Sequence, residues 1–243
     1  MGKEVNLLKL YPVSNRPVDE RGALVTEIDR AIARKFDVEY FDKDRLTGYG
    51  GYSYNPKFWT ETVAHIKDFY NLNNDSKILD VGCAKGFMMH DFSLLLPKAE
   101  IVGVDISNYA IDNCIESMKD GISYANANNL PFEDDYFDLI ISWGVLYYNT
   151  WETFKIAVNE INRVLNNGGT FIGTMIKPGD SSFHSNSKPL GKGLYEQLGA
   201  LGHEVIGFST STGCDINNEL NRRTIIGVCQ DFDLFINNHL VRT

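Results

Sequence analysis

Short apolar runs and amphipathic stretches alternate through the middle of the chain. Five of the runs have the length and composition of buried strands: 77–82, 100–107, 121–127, 137–145 and 170–176. Three stretches between them have the periodicity of helices: 87–96, 108–120 and 150–166. Strands that alternate with helices predict an α/β domain, with a mostly parallel sheet and helices on both of its faces.

The segment before this alternation has a helical pattern of its own. Helices are predicted over about 21–37 and over 56–71, the second opened by Pro56. Each has apolar residues that can share one inward face: Leu24, Ile28, Ala31 and Phe36 in the first, and Phe58, Val63, Ile66 and Phe69 in the second.

The segment after the alternation ends in two more apolar runs. These runs, 204–212 and 222–230, read as strands that can pair as an antiparallel hairpin. We therefore predict one structural domain, made of a helical N-terminal cap or lid, residues 1–76, and a core, residues 77–243.

Residues 48–59, GYGGYSYNPKFW, combine three tyrosines with three glycines. Glycine lets the backbone approach a ligand closely, and tyrosine and tryptophan supply large apolar faces with a polar tip. The stretch alone leaves two alternatives, a surface turn whose rings fill the core and a wall of a ligand site.

Charge and cysteine content narrow the classes of partner. The chain has 243 residues and a formal net charge of −9, and an acidic surface repels phosphate backbones, so no nucleic acid partner is expected. The four cysteines form no CxxC pair, which argues against a metal site and a disulfide framework. No signal peptide and no apolar run of membrane-spanning length is apparent. We expect a soluble, cytoplasmic protein with neither metal nor membrane partner, and its oligomeric state stays open.

The first strand of the alternation ends in a turn of small residues, DVGCAKG (80–86). Such a turn at the carboxyl end of a strand is where ligands bind in an open α/β sheet. A nicotinamide dinucleotide fingerprint would have glycine at three positions that hold Gly82, Ala84 and Phe87 here. The pattern therefore disfavours a dehydrogenase.

The second strand ends in an acidic residue, Asp105. A carboxylate at this position can accept hydrogen bonds from the two hydroxyls of a ribose. The alternative is that Asp105 caps the helix that follows. The turn and the acid together favour an adenosine ligand.

In four successive segments the chain resembles class I S-adenosylmethionine-dependent methyltransferases: ILDVGCAKGF, IVGVDIS, ANANNLPFEDDYFDLIIS and NEINRVLNNGGTFIGTM. The resemblance covers about residues 77–176. It implies a Rossmann-like fold with a mostly parallel seven-stranded sheet, an antiparallel last strand and helices on both faces. It also implies S-adenosyl-L-methionine as the cofactor and S-adenosyl-L-homocysteine as the product.

The same resemblance assigns roles to individual residues. The methionine part of the cofactor would be lined by Asp80, Gly82, Cys83, Gly86, Ser142 and Trp143. The ribose would be held by Asp105, and the adenine would contact Ile106, Asn126 and Ala127. A mobile aromatic lid, with Tyr49, Tyr52 and Tyr54, would cover the sulfonium, since aromatic faces attract cations.

The acceptor and the catalytic residues are less constrained by the sequence. A hydroxyl acceptor would benefit from a general base, whereas a phosphate or carboxylate oxygen needs none. The catalytic candidates are His184, in the loop after the fifth strand, and Tyr147, after the fourth. Their structural alternatives are a solvated loop residue and a part of the pocket wall.

The residues before the first strand also resemble a bacterial subgroup associated with surface-glycan and capsule modification. The leading hypothesis is O-methylation of a small molecule, such as a capsular sugar or a phosphoramidate or phosphorylated glycan precursor. The alternatives are methylation of tRNA or protein, and a regulator that binds S-adenosylmethionine without catalysis.

Overall fold

A computed structural model of the chain describes residues 7–12 and 24–174, and the backbone of three later segments. Within these parts of the chain, eight strands form one sheet. The strands are β1 (Lys77–Val81), β2 (Glu100–Asp105), β3 (Ile122–Tyr124), β4 (Phe137–Ser142), β5 (Leu165–Thr174), β6 (Glu204–Phe208), β7 (Gly227–Cys229) and β8 (Phe232–His239).

The α-helices of the described residues are α1 (Glu27–Ala33), α2 (Pro56–Phe69), α3 (Phe87–Leu95), α4 (Asn108–Asp112) and α5 (Trp151–Val164). Side-chain caps explain where the two longest begin. The side chain of Asn55 accepts a hydrogen bond from the amide of Lys57 at the start of α2, and Thr150 accepts one from the amide of Thr153 in α5. None of these helices is long and apolar enough to cross a membrane.

The strand order is β3-β2-β1-β4-β5-β8-β6, and β7 also pairs with β8. The strands β1 to β5 are parallel to one another, and β8 is antiparallel to both β5 and β6. The predicted Rossmann-like methyltransferase fold is confirmed, and the last strand is antiparallel, but the described sheet has eight strands where seven were predicted. The chain order reverses between β1 and β4, which is where a sheet of this kind binds its ligand.

The prediction for the last strands was wrong in one respect. The predicted runs 204–212 and 222–230 contain β6 and β7, but each of these strands pairs with β8. The pattern did not predict β8, and this strand takes the place between β5 and β6. Its sequence, FDLFINNH, contains aspartate and asparagine, which are depleted in strands.

Two hydrophobic clusters lie on the two faces of the sheet, because alternate residues of a strand point to opposite sides. On one face, Leu79 of β1 and Ile140 of β4 pack with Phe154 and Val158 of α5. On the other face, Ile78 packs with residues of α2, α3 and the N-terminal segment: Leu7, Leu8, Val63, Ile66 and Phe92. Each fully buried side chain of this size contributes about 1.5–3 kcal/mol. The N-terminal segment therefore shares a core with the sheet.

The helix predicted over 108–120 is shorter in the structure. α4 ends at Asp112, and a separate 3₁₀ turn follows at Glu116–Met118. The amide of Ile115 donates to the carbonyl oxygen of Lys85 at 2.9 Å, so it does not continue the helix. This bond ties the segment after α4 to the turn that follows β1.

The inward face predicted for the first helix was also wrong. α1 ends at Ala33, and the side chains of Leu24 and Ile28 are 67% and 72% exposed. Phe36 has left the helix, with φ at +50°. In α2, Val63 and Ile66 are buried as predicted, but Phe69 is 37% exposed at the end of the helix.

Candidate cofactor site

A cavity of about 210 Å³ lies at the carboxyl ends of β1 to β4. Its wall contains ten of the twelve residues that the sequence predicts as cofactor ligands: Tyr49, Tyr52, Asp80, Gly82, Cys83, Asp105, Ile106, Asn126, Ala127 and Trp143. The fold therefore brings together positions that are spread over almost a hundred residues of sequence.

The other two predicted ligands, Gly86 and Ser142, are absent from the described cavity wall. Gly86 caps α3 with φ at +75°, and a Cβ there would come within 2.6 Å of the side chain of Ile122. The backbone therefore requires glycine at this position. Ser142 is fully buried, and its Oγ has no hydrogen-bond partner among the described residues.

The turn after β1 is shaped by Gly82. Its φ is +82°, and a Cβ would lie 2.1 Å from a methyl carbon of Val145. The amides of Gly82 and Cys83 both donate to the carbonyl oxygen of Val104, at 2.7 and 3.1 Å. These bonds fold the turn against the end of β2, so that Ala84 lies beside Asp105.

Asp105 is 8% exposed at the end of β2. One carboxylate oxygen accepts from the amide of Ala84 at 2.7 Å, and the other accepts from the amide of Ser107 at 2.8 Å. Burial raises the pKa of Asp105, and the hydrogen bonds from the backbone amides oppose this effect. The residue that caps α4 is Ser107, so Asp105 is not the cap. Each oxygen retains a lone pair for a ribose hydroxyl.

Asp80 is the second carboxyl group of the cavity wall, and it is 4% exposed. Burial raises the pKa of Asp80 to about 8, and the negative charge of Asp105 adds to the effect. A positively charged group on a ligand would lower the pKa of Asp80 again, because an opposite charge favours the ionised carboxylate.

Aromatic rings form the opposite part of the wall. The ring centroids of Tyr49 and Tyr52 are 4.4 Å apart, and Tyr52 stacks on Phe87 at 5.0 Å. Trp59 and Trp143 meet edge to face at 5.0 Å. From the segment 48–59, Tyr49, Tyr52 and Trp59 line the cavity, whereas Phe58 packs against Tyr11.

Sequence reasoning missed several residues of this wall, among them Phe36 and Tyr40. The carbonyl oxygen of Phe36 accepts from the Ser107 hydroxyl at 2.5 Å, and the hydroxyls of Tyr40 and Tyr148 are 3.2 Å apart. The cluster KFDVEYFD, 35–42, carried a signal in its three aromatic residues. We call residues 36–52 the aromatic strap.

Tyr54, the third residue of the predicted lid, is absent from the described wall, and its hydroxyl donates to Asp91 at 3.0 Å. The strap is also tightly folded. A Cβ on Gly48 would lie 2.0 Å from the carbonyl oxygen of Tyr40, which accepts from the amide of Tyr49 at 2.8 Å. Gly48 therefore serves close packing within the strap.

The catalytic candidates are not described by the structure. His184 lies outside the described residues, and so does the side chain of Tyr147, whose backbone belongs to the 3₁₀ turn Leu146–Tyr148. In the described part of the cavity wall, the charged residues are Asp80 and Asp105. Among the described residues there is no group of histidine, cysteine, aspartate or glutamate that could hold a metal ion.

The chemistry of this wall fits an adenosine ligand with a cationic side chain. Asp105 offers acceptors for a ribose, and Asp80 offers a carboxylate for an ammonium group. The side-chain oxygen of Asn126 accepts from the amide of Asn128 at 3.0 Å, which fixes its amide group in the wall. Aromatic faces within reach of a cation contribute about 0.5–2 kcal/mol.

The chain is similar to curated methyltransferases with different acceptors. It is 31% identical over 106 residues to a malonyl-[acyl-carrier protein] O-methyltransferase of Legionella pneumophila, covering 42% of this chain and 37% of the relative. It is 32% identical over 112 residues to a tRNA (carboxymethyluridine(34)-5-O)-methyltransferase of Arabidopsis thaliana, covering 46% and 26%. It is 29% identical over 163 residues to the ubiquinone/menaquinone biosynthesis C-methyltransferase UbiE of Photorhabdus laumondii, covering 63% and 59%.

These alignments span about a quarter to three fifths of the length of the curated relatives. Among solved structures, a SAM-dependent methyltransferase from Aquifex aeolicus has a TM-score of 0.52 and 14% sequence identity, covering 74% of this chain and 89% of that chain. At this level of identity the similarity concerns the fold.

A protein family described as a methyltransferase domain matches residues 72–200, which is more than half of the chain. The matched region contains the turn after β1, Asp105 and the whole of β1 to β5. The family and the fold imply S-adenosylmethionine as the cofactor. The chain therefore belongs to this family of S-adenosylmethionine-dependent methyltransferase domains.

Proposed function

We propose that the chain transfers the methyl group of S-adenosylmethionine to an oxygen atom of a small molecule, such as a sugar or a glycan precursor of the bacterial capsule. The observation that carries this proposal is the joint cavity of two buried carboxyl groups and a wall of aromatic rings. The acids suit the ribose and the ammonium group of the cofactor, and the rings suit its sulfonium and an acceptor.

When bound, the cofactor supplies a methyl group that is already activated on a positively charged sulfur. The main task of the residues is therefore alignment, which is effective when reacting atoms are held about 3–3.5 Å apart. In this role Asp105 holds the ribose hydroxyls, Asp80 pairs with the ammonium group and Asn126 contacts the adenine. The aromatic strap excludes water from the methionine end.

The wall supports a neutral acceptor more than a phosphorylated one. Trp143 directly follows β4 and Trp59 belongs to α2, and the ring faces of these two residues suit the apolar face of a sugar. Both charged residues of the described wall are acids, so a phosphate would find no positive partner there. A neutral hydroxyl benefits from a general base, for which His184 and Tyr147 stay our candidates.

The relatives differ in the acceptor atom: one is an O-methyltransferase for malonyl-[acyl-carrier protein], and another is a C-methyltransferase. The net charge of −9 disfavours tRNA as the acceptor, although a further relative is a tRNA methyltransferase.

Isotope-labelled S-adenosylmethionine tests the proposal directly. The wild-type chain is incubated with separate pools of neutral sugars, sugar phosphates, quinols and tRNA, and the label in each pool is followed by mass spectrometry. We expect label in the sugar pool, on oxygen. Label in quinols or tRNA alone would overturn the acceptor class, and cofactor binding by calorimetry without turnover in any pool would favour a regulator.

A further inference from the structure

The aromatic strap is anchored by a residue outside the described cavity wall, Asp42. One of its carboxylate oxygens accepts from the backbone amide of Tyr52 at 2.8 Å. The other accepts from Nζ of Lys85 at 2.6 Å and from the hydroxyl of Tyr109 at 2.6 Å. One carboxylate thus joins the strap to the turn after β1 and to α4.

Lys85 makes the second half of this anchor. It belongs to the turn between Gly82 and Gly86, and its side chain is 9% exposed. Besides Asp42, its Nζ donates to the carbonyl oxygen of Tyr52 at 3.0 Å. The amide and the carbonyl group of Tyr52 are therefore both held, one by Asp42 and one by Lys85.

Asp42 is ionised at the pH of a cell. Burial opposes the charge of Asp42, but the hydrogen bonds from Lys85, Tyr109 and Tyr52 outweigh it, and the pKa of Asp42 falls to about 2. The hydrogen bond that Tyr109 donates to Asp42 raises the pKa of Tyr109 to about 12. Loss of one partner would leave the other charge partly buried and uncompensated.

Tyr52 is the point at which this anchor reaches the cavity. Its ring lines the wall, contacts Tyr49 at 4.4 Å and Phe41 at 5.6 Å, and stacks on Phe87 at 5.0 Å. Because the backbone of Tyr52 is fixed by Asp42 and Lys85, the position of this ring is coupled to the turn that would hold the methionine part of the cofactor.

We infer that Asp42 is a positioning residue, which acts through Lys85 and Tyr52 to hold the aromatic strap in place over the bound cofactor. This inference rests on the proposed function of the cavity. It assigns a role to a residue that is absent from the described cavity wall.

The test compares Asp42→Asn with Asp44→Asn. Asp44 belongs to the same strap, but its carboxylate accepts only from the nearby amide of Leu46 in the described contacts. The dissociation rate of S-adenosylhomocysteine is measured by stopped-flow fluorescence, at a temperature where thermal unfolding shows both variants folded. We expect Asp42→Asn to raise the rate at least tenfold and Asp44→Asn to leave it within twofold. A rate within twofold of wild type for a folded Asp42→Asn variant would overturn the inference.

Tyr109→Phe covers the case in which Asp42→Asn does not fold, since it removes one hydrogen bond and keeps the ion pair. We expect a rise of about threefold in the dissociation rate, and an unchanged rate would count against the inference. Hydrogen exchange at the Tyr52 amide, measured without ligand, should be at least tenfold faster in Asp42→Asn than in the wild type. An unchanged exchange rate would also overturn the inference.

The proposed function has a separate outcome. A wild-type chain that fails to bind S-adenosylhomocysteine would refute it.

Discussion

The hydroxyl groups of Tyr40 and Tyr148 lie 3.2 Å apart, although 108 positions separate the two residues in sequence. Both residues line the cavity, one from the aromatic strap and one from the turn after β4. The ring of Phe36 packs edge to face against each of them at 5.2 Å. The contact between the hydroxyls of Tyr40 and Tyr148 therefore joins the strap to the turn after β4.

Tyr148→Phe should therefore speed the release of the cofactor product. One hydrogen bond contributes about 0.5–1.5 kcal/mol, so we expect the dissociation rate of S-adenosylhomocysteine to rise about 2- to 12-fold. Tyr40→Phe should have the same effect, and the double variant should add nothing further, because both changes remove one bond.

The matched control for this pair is Tyr124→Phe. Tyr124 lies on β3 and is 61% exposed, so the loss of its hydroxyl should leave the dissociation rate unchanged. Additive effects of Tyr40→Phe and Tyr148→Phe would argue that the two hydroxyls act separately.

Asp105→Ala should weaken the binding of S-adenosylmethionine at least tenfold, because the ribose loses its acceptor. Calorimetry on the wild-type and variant chains measures the effect. The exposed Asp112→Ala on α4 is the control and should bind as the wild type does. Equal affinities of Asp105→Ala and wild type would refute the ribose role.

Asp80→Asn should make the cofactor-free protein more stable at alkaline pH. Burial, together with the charge of Asp105, raises the pKa of Asp80 from 3.8 to about 8. The folded state therefore holds this proton more tightly than the unfolded chain does, and the stability of the wild type falls as pH rises through this interval. Asparagine has no such proton. The difference in the free energy of unfolding between the variant and the wild type therefore grows with pH and levels off above about pH 8.

Urea unfolding at acidic, neutral and alkaline pH checks this prediction. We expect the free energy of unfolding of Asp80→Asn to exceed that of the wild type by about 1–4 kcal/mol near pH 9, with a smaller difference near pH 5. A difference that does not vary with pH would contradict it. The same variant should bind the cofactor more weakly, since it loses the partner of the ammonium group.

Gly82→Ala and Gly168→Ala separate backbone strain from steric conflict. Their φ values, +82° and +84°, are nearly equal, but a Cβ at Gly82 meets Val145 at 2.1 Å and a Cβ at Gly168 meets nothing within 4 Å. We expect Gly168→Ala to cost about 1 kcal/mol of stability, and Gly82→Ala to cost at least 2 kcal/mol more and to lower cofactor affinity. Equal losses in thermal unfolding would contradict the steric argument.

The sequence predicted the parts of the site that depend on local rules. Asp80 and Asp105 follow apolar runs, and the carboxyl ends of parallel strands meet at one edge of a sheet. The same rule brought Asn126 and Trp143 into the prediction. Gly86 was predicted as a ligand from its place in the turn, but its conformation is explained by the start of α3.

The strap could not be predicted in the same way. Phe36 and Tyr40 are held beside the cavity partly by Ser107 and Tyr148, and periodicity carries no information about such distant partners. Leu24 was assigned to an inward face because it matched a helical spacing, yet it is 67% exposed. Spacing identifies an apolar face, whereas burial also depends on what the tertiary structure offers to cover it.

The attachments of the aromatic strap also have a consequence for the order of folding. Lys85 follows its partner Asp42 by 43 positions, and Ser107 follows Phe36 by 71. Tyr148 follows Tyr40 by 108 positions. A ribosome therefore delivers the strap well before any of the sites on which it docks, and distant contacts close slowly. The last of these contacts, between Tyr40 and Tyr148, can therefore form only after β4 has been synthesised.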